Sequence, residues 1–358
     1  MATPNVVPFL SSTGASTTGD LTLARTIYAN DFWEAFRKRA RFLDMMPFVD
    51  KRSMLGSKQF QFYMFGETTE LEKEYVDGDE LTGTDYAVDT GTVNVDDQIV
   101  AHKVVGLKDS MVSHVGVIPY LARENARVTA LEIDRRLLNQ HIAAARTAAA
   151  TKNGQTIHNG GIRTYRSGGS TTLATALAAA YPLSATGASN LIEDLNEQAY
   201  NADVEYWPEE GRGMILDAYL RRVLQFDTTG KVHTVDYKAP NDVTSRKYTE
   251  IAGWRLQFWD TRVSQGGLLP DSNIGTYVRS TKFNIDCSVG ATNGYPIGLF
   301  FCGGGEDTAS VGMGTWLGMT DHIDYNERNH TTLAQTYCLL GIEKMRPWCA
   351  GTLELRSA

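Results

Sequence analysis

The sequence predicts an α+β fold, and three observations carry that prediction. From Pro119 to about residue 150, apolar residues recur at intervals of three, four and seven, with no Gly or further Pro until Gly154, which defines one long helix. Strand-like alternation lies on both sides of it, in 60–65 and 92–96 before and in several runs after residue 250. No β-α-β rhythm is sustained, so the pattern is not that of a doubly wound sheet. A length of 358 residues allows one large domain or two modest ones, 42% hydrophobic residues can bury a real core, and 33 glycines favour loops and strands over a helical bundle.

Taken in order, residues 1–24 read as an extended arm, dense in Ser, Thr and Gly between Ser11 and Gly19. A helix is expected over 25–45, with Phe32, Trp33 and Phe36 on its apolar side and Arg37, Lys38, Arg39 and Arg41 outside, and Pro47 ends it. Residues 57–99 read as a long hairpin. Its first strand carries Phe60, Phe62, Tyr63, Met64 and Phe65, and its second is Thr92-Val93-Asn94-Val95-Asp96. From Glu67 to Asp97 eleven acidic residues stand against one lysine, Lys73. A two-stranded arm is marginal alone, and this one is expected to seek a basic surface on a second copy of the chain. Between Arg25 and Arg52 seven basic residues accompany four acidic ones, so neighbouring segments carry opposite charge. Contact residues are therefore expected at Phe60, Phe62, Glu70, Glu72, Lys73, Glu74, Asp77, Asp79 and Glu80 on the hairpin, and at Trp33, Phe36, Arg37, Lys38, Arg39 and Arg41 on the arm and basic helix.

A strand and turn are expected over 100–111. The long helix then spans some 30 residues, roughly 45 Å, with Leu121, Val128, Leu131, Leu138, Ile142 and Ala145 as its apolar positions. After a glycine-rich loop at 153–170, short helices are expected over 173–180 and 188–202. A strand edge at 213–216 feeds a helix over 217–224, and 226–250 reads as a polar loop. Further strands are expected at 251–259, 275–289, 295–302, 333–345 and 349–355.

Chemical motifs are sparse. Gly303-Gly304-Gly305 lacks the spacing of a nucleotide loop and reads as a turn. The run Asp321–His330 gathers two histidines and three carboxylates, but without the spacing of a zinc helix or a calcium loop it reads as a polar surface segment. No nucleophile elbow is present, and Cys302 reads as a small buried residue. Four cysteines, none in a C-x-x-C pair, make no disulfide framework. No leader and no 18-residue apolar run points to secretion or a membrane span. A formal charge of −8 argues against a dedicated nucleic-acid binder without excluding a protein that encloses nucleic acid. The basic residues at 37–41 suit a subunit contact better than a nucleic-acid contact.

The order of these segments resembles the major capsid protein of short-tailed, double-stranded DNA bacteriophages. The resemblance rests on the hairpin ending in Asn94-Val95-Asp96-Asp97-Gln98-Ile99-Val100-Ala101-His102, on Asp109-Ser110-Met111-Val112-Ser113-His114 before the long helix, on Pro208-Glu209-Glu210-Gly211-Arg212 before a strand, and on Ile342-Glu343-Lys344-Met345-Arg346-Pro347. It implies the tailed-phage capsid fold, divided as an N-terminal arm and short helix (1–56), an extended loop (57–99), a peripheral domain with the spine helix (100–169, completed by later strands), an axial domain (170–335) and a C-terminal strand returning to their junction (336–358). It implies a non-enzymatic structural subunit without cofactor or metal, assembling into hexamers and pentamers of an icosahedral shell. Its partners would be a scaffolding protein, a portal at one vertex and double-stranded DNA held by non-specific contact, and its place the virion after synthesis in the host cytoplasm. The initial Met1 fits relatives whose scaffold is a separate protein. Some relatives crosslink neighbouring subunits through a lysine on this loop, and Lys73 is the only lysine at its centre. The reaction also needs an apolar pocket and a nearby carboxylate that sequence does not place, and non-covalent contacts are expected to hold the shell. A non-viral compartment of the same fold, or an α+β enzyme using His322 and His330 as metal ligands, are the alternatives.

Overall fold

The computed structural model describes residues 31–36, 49–54, 56–65, 87–106, 117–209, 211–226, 250–259, 281–283, 285–290, 292–302, 308–326 and 331–357. The arm, the basic residues at 37–41, the acidic hairpin tip, Asp109–His114, the 227–249 segment, Gly303–Gly305 and Asn329-His330 lie outside them. In chain order the elements are a helical stretch at 31–36 (α1), then β1 (Val49–Ser53), β2 (Gln59–Phe65), β3 (Val88–Asn94), β4 (Ile99–Gly106) and the spine helix α2 (Val117–Ala145). There follow β5 (Ala148–Lys152), β6 (Gln155–Gly160), β7 (Ile162–Ser167), α3 (Leu173–Ala180), α4 (Ala185–Val204), β8 (Gly213–Asp217) and α5 (Ala218–Leu224). The chain closes with β9 (Glu250–Ile251), β10 (Trp254–Trp259), β11 (Tyr295–Phe301), β12 (Val311–Asn326), β13 (Thr331–Lys344) and β14 (Ala350–Arg356).

The spine helix runs about 44 Å and packs against two sheets at once. Its first half is amphipathic, burying Leu121, Ala122, Asn125, Ala126, Thr129 and Ala130 while Val128, expected inside, is exposed. Its second half is enclosed on every side from Arg136 to Ile142, which explains why Asn139, Gln140 and His141 are buried there. These polar side chains are put to use. Asn139 Nδ2 donates to the Phe283 carbonyl at 3.1 Å and Gln140 Nε2 to that of Lys282 at 3.2 Å. Backbone groups that a ladder would otherwise satisfy are thus met by the helix. The strand expected over 275–289 is accordingly, among its described residues, a 3-10 turn at Thr281–Phe283 followed by irregular chain.

The helix stops at Ala145, short of the expected 150, and the supposed glycine loop beyond it is a hairpin. Asn153 and Gly154 both have positive φ, 52° and 78°, and close a two-residue turn between Lys152 and Gln155. Ala252 and Gly253, at 52° and 78°, close β9 onto β10 in the same way.

Four strands form one sheet in the order β1-β12-β13-β4, with β1 parallel to β12 and the other pairs antiparallel. On β13 the residues Ala334, Thr336, Cys338, Leu340 and Ile342 are buried, while the alternate ones from Leu333 to Leu339 are half-buried. Asn125 of the spine donates to the Ala334 carbonyl at 3.3 Å. Six strands form the second sheet, β7-β14-β11-β8-β10-β9. Strand β8, read from sequence as an edge, is an interior strand buried at all five positions between β11 and β10. The sheet is covered on one face by the end of α2 and on the other by α3 and α4, and Trp207, Trp254 and Phe300 meet edge to face within its core. The sheets therefore divide the chain differently from the 170–335 range: Val311–Asn326 belongs to the four-stranded sheet with β1 and β4.

Candidate intersubunit surface

The hairpin β2–β3 pairs Gln59 with Asn94 through to Phe65 with Val88. Its two faces have different fates. Phe60, Phe62 and Val93 are buried with Met54 and Met345, and Met64 and Trp316 pack against them. Gly91 lies opposite Phe62 and leaves room for its ring, since a Cβ there would sit 2.0 Å from it. Phe60 and Phe62, expected as contacts with a second copy, are thus part of this subunit's own interior. Phe36 is corrected likewise. It stacks on Phe32 at 5.9 Å, and both are buried in the main core, while Trp33 beside them remains partly exposed. The outward aromatic residues of the hairpin are Tyr63 and Phe65, 56% and 57% exposed. Of the expected charged contacts, Glu70 through Glu80 and Arg37 through Arg41 lie outside the described residues.

The root of the hairpin is held by a single carboxylate. Asp96 Oδ2 accepts from the Ile342 amide at 2.8 Å, its Oδ1 meets Lys282 Nζ at 2.9 Å, and its own amide donates to the Leu340 carbonyl at 2.9 Å. Lys282 also reaches Glu343 at 2.7 Å, and Arg136 donates to the Asp97 carbonyl at 3.3 Å. Trp316 Nε1 donates to the Ser57 carbonyl at the other strand's start. Gly341 fits beneath this crossing, where a Cβ would lie 2.1 Å from the Asn94 carbonyl oxygen. These bonds fasten both strands of the hairpin base to the four-stranded sheet. Asp96→Ala removes a buried charged acceptor from an amide and an ammonium. It is expected to cost about 2–4 kcal/mol and to raise proteolysis within 57–99 first, as limited digestion followed by mass spectrometry will read.

Other buried charges brace the interior. Arg166 grips Asp194 with two 2.7 Å bonds while Tyr181 Oη donates to the same carboxylate at 2.5 Å, tying β7 to α4. Burial raises both the Tyr181 hydroxyl and the Asp194 carboxyl above their ordinary ranges, although Arg166 pulls each the other way. Burial pushes the Cys287 thiol up to about 12 and Cys338 up to about 11, which keeps them protonated. Cys302 is drawn down through its hydrogen bond with Cys349, and both are buried where β11 meets β14. The segment expected as a polar surface run begins inside β12, with Asp321 and His322 opposite Thr336 and Gln335. An extended strand spreads successive residues over two faces. Among the described residues no group of three or more His, Cys, Asp or Glu could hold a metal, and no helix is long and apolar enough to cross a membrane.

No protein-family model and no curated protein matches the chain by sequence. Solved structures match along nearly its whole length. The capsid of the cyanophage P-SCSP1u is 20% identical with a TM-score of 0.68, covering 89% of this chain and 89% of that one. The mature capsid of bacteriophage PhiM1 is 14% identical at 0.64, covering 87% and 86%, and the capsid of Ralstonia phage GP4 is 12% identical at 0.52, covering 88% and 90%. The chain has the tailed-phage capsid fold. A spine helix shared by two sheets, with the base of a hairpin pinned against the four-stranded one, is how this sequence builds it.

Proposed function

We propose that this chain is the structural subunit of an icosahedral head shell, assembling as hexamers and pentamers around double-stranded DNA. The observation that carries the reading is the fold match over nine-tenths of the chain to phage capsids. The outward Tyr63 and Phe65 of β2 support it, because an exposed aromatic pair is suited to a neighbour's surface. In this reading the N-terminal arm before α1 and the acidic part of the extended loop (57–99) reach adjacent copies, while α1, β1 and the base of the loop stay in their own subunit. The four-stranded sheet with the spine makes a peripheral unit, and the six-stranded sheet with α3, α4 and α5 an axial one. The acidic loop, Glu70 to Glu80, meets basic residues 37–41 of the next copy, and a scaffolding protein and a portal join during assembly. A charge of −8 suits a container that holds DNA without gripping it.

Size-resolved particle analysis tests the reading. Shell-sized particles are expected, and a monomer or dimer at every concentration overturns it. Replacing Glu70, Glu72 and Glu74 together by lysine is expected to abolish particles while the far-ultraviolet dichroism of the subunit stays unchanged. Normal assembly of that triple variant removes the proposed charge pairing.

A further inference from the structure

We propose that the C-terminal end of α4 and the outer face of α5 are the two halves of one head-to-tail contact between neighbouring copies of this chain, anchored by Tyr206. The proposal rests on the shell reading and adds residues to it. It starts from a backbone outlier. Helix α4 ends in a Schellman motif: the Trp207 amide donates to the Ala202 carbonyl at 2.9 Å and the Tyr206 amide to that of Asp203 at 3.1 Å. The first residue past the C-cap Glu205 must be left-handed in this motif, and it is Tyr206, with φ 55°. Glycine or asparagine normally fills this place, and a bulky residue there is strained. Tyr206 is 93% exposed, so among the described residues no burial of its ring offsets the strain. Strain kept at an outward aromatic residue points to use outside the subunit.

The ring does not stand alone. Tyr200 and Val204, one turn apart on α4, are 68% and 54% exposed, and Glu193 and Glu197 continue the same stripe toward the helix start. The complementary surface is on α5. There Arg221 and Arg222 are exposed and Phe226, just past the helix, is 43% exposed. Tyr219 of α5 donates its hydroxyl to the Tyr181 carbonyl, just before the N-terminal end of α4. This bond sets Tyr219 beside the start of α4, whose twenty residues, roughly 30 Å, lead to Tyr206 at its other end. One is acidic with two tyrosines and the other basic with a phenylalanine, so they are complementary in charge. Unlike patches at opposite ends of a layer meet head to tail and close into rings. Aromatic anchors in such contacts carry most of the binding.

Three variants test this. Tyr206→Gly relieves the left-handed strain, so unassembled subunits are expected to melt higher by roughly 2 °C, while the concentration needed for particle formation rises about tenfold or more. A purely structural role for Tyr206 predicts no loss of assembly, and that result overturns the proposal. Glu197→Arg and Arg222→Glu are each expected to impair assembly, and the double variant to recover it to within about threefold of the original. Single variants that assemble normally, or a double variant no better than either single, overturn the pairing. These failures leave wild-type particles intact and so reject this contact alone. A wild-type protein that forms no particles rejects the shell reading itself.

Discussion

Glu354→Ala is expected to abolish folding of the subunit at 37 °C. Glu354 lies in the middle of β14, fully buried, with one oxygen 2.8 Å from Arg146 at the end of the spine and the other 2.8 Å from Arg163 on β7. The Gly294 amide and Thr352 hydroxyl donate to the same carboxylate at 3.3 Å. Arg146 in turn donates to the carbonyls of Asp286 and Gly294 at 2.6 and 2.7 Å, so two ion pairs on one carboxylate join the end of the spine and two strands to the chain at Asp286 and Gly294. Removing the carboxylate strands two guanidiniums that the surrounding layers largely shield from water. Breaking a buried pair costs about 3–5 kcal/mol, a large part of the 5–15 kcal/mol typical of a whole domain. Glu354→Gln keeps the shape and two hydrogen bonds and is expected to lie between. Urea midpoints of unassembled subunits will rank the three proteins, and equal midpoints would show the pair to be energetically idle.

The second large effect is on acid stability. His141 is fully buried in the spine, its Nδ1 2.8 Å from Ser310 Oγ and its Nε2 3.4 Å from the Gly351 carbonyl, and burial lowers its pKa to about 3. The folded protein thus keeps it neutral while the unfolded chain protonates near 6.5. The stability this confers is complete above about pH 6.5. It falls by about 1.4 kcal/mol per pH unit below that, until the folded group titrates near 3. At pH 5 the loss is about 2 kcal/mol. Asp194, with its pKa raised, acts in the opposite sense, since folding favours its protonated form. The comparison of wild type with His141→Asn isolates the imidazole: the variant is less stable at pH 7 but has a shallower acid slope. Identical slopes would refute the assignment.

Where the sequence was legible, local chemistry and tertiary environment agreed. Leu173–Ala180 was bounded correctly, because an Ala-Leu run between Thr172 and Pro182 has few alternatives. The strands of the hairpin were visible from their alternation, but their facing was not. Phe60, Phe62 and Met64 occupy one side and Tyr63 and Phe65 the other, so both sides are apolar and the pattern alone does not choose. The glycine opposite Phe62 was the available clue. Strand β12 was missed because Gly312, Gly314 and Gly318 interrupt its pattern, and two of these positions would clash with packed side chains if they carried a Cβ. The β5–β6 hairpin was announced by Asn153-Gly154, the strongest short turn signal, and was hidden by an alanine run that reads as helix. Of the candidate surface, the charge asymmetry between 25–52 and 67–97 was plain in the sequence. The Schellman position of Tyr206 was not, because helix-end geometry is a property of the folded backbone.

The place of β14 has one more consequence. The last strand of the chain is not added at an edge but inserted between β7, with which it runs parallel, and β11. Until residues 350–356 emerge from the ribosome the six-stranded sheet is split, and Arg146 and Arg163 lack their carboxylate. A nascent or truncated copy is therefore an unfinished piece that cannot present both ends of its helical layer in fixed relation. Strand β14 is thus the piece that closes the sheet, joining β7 to β11 and setting a carboxylate between Arg146 and Arg163.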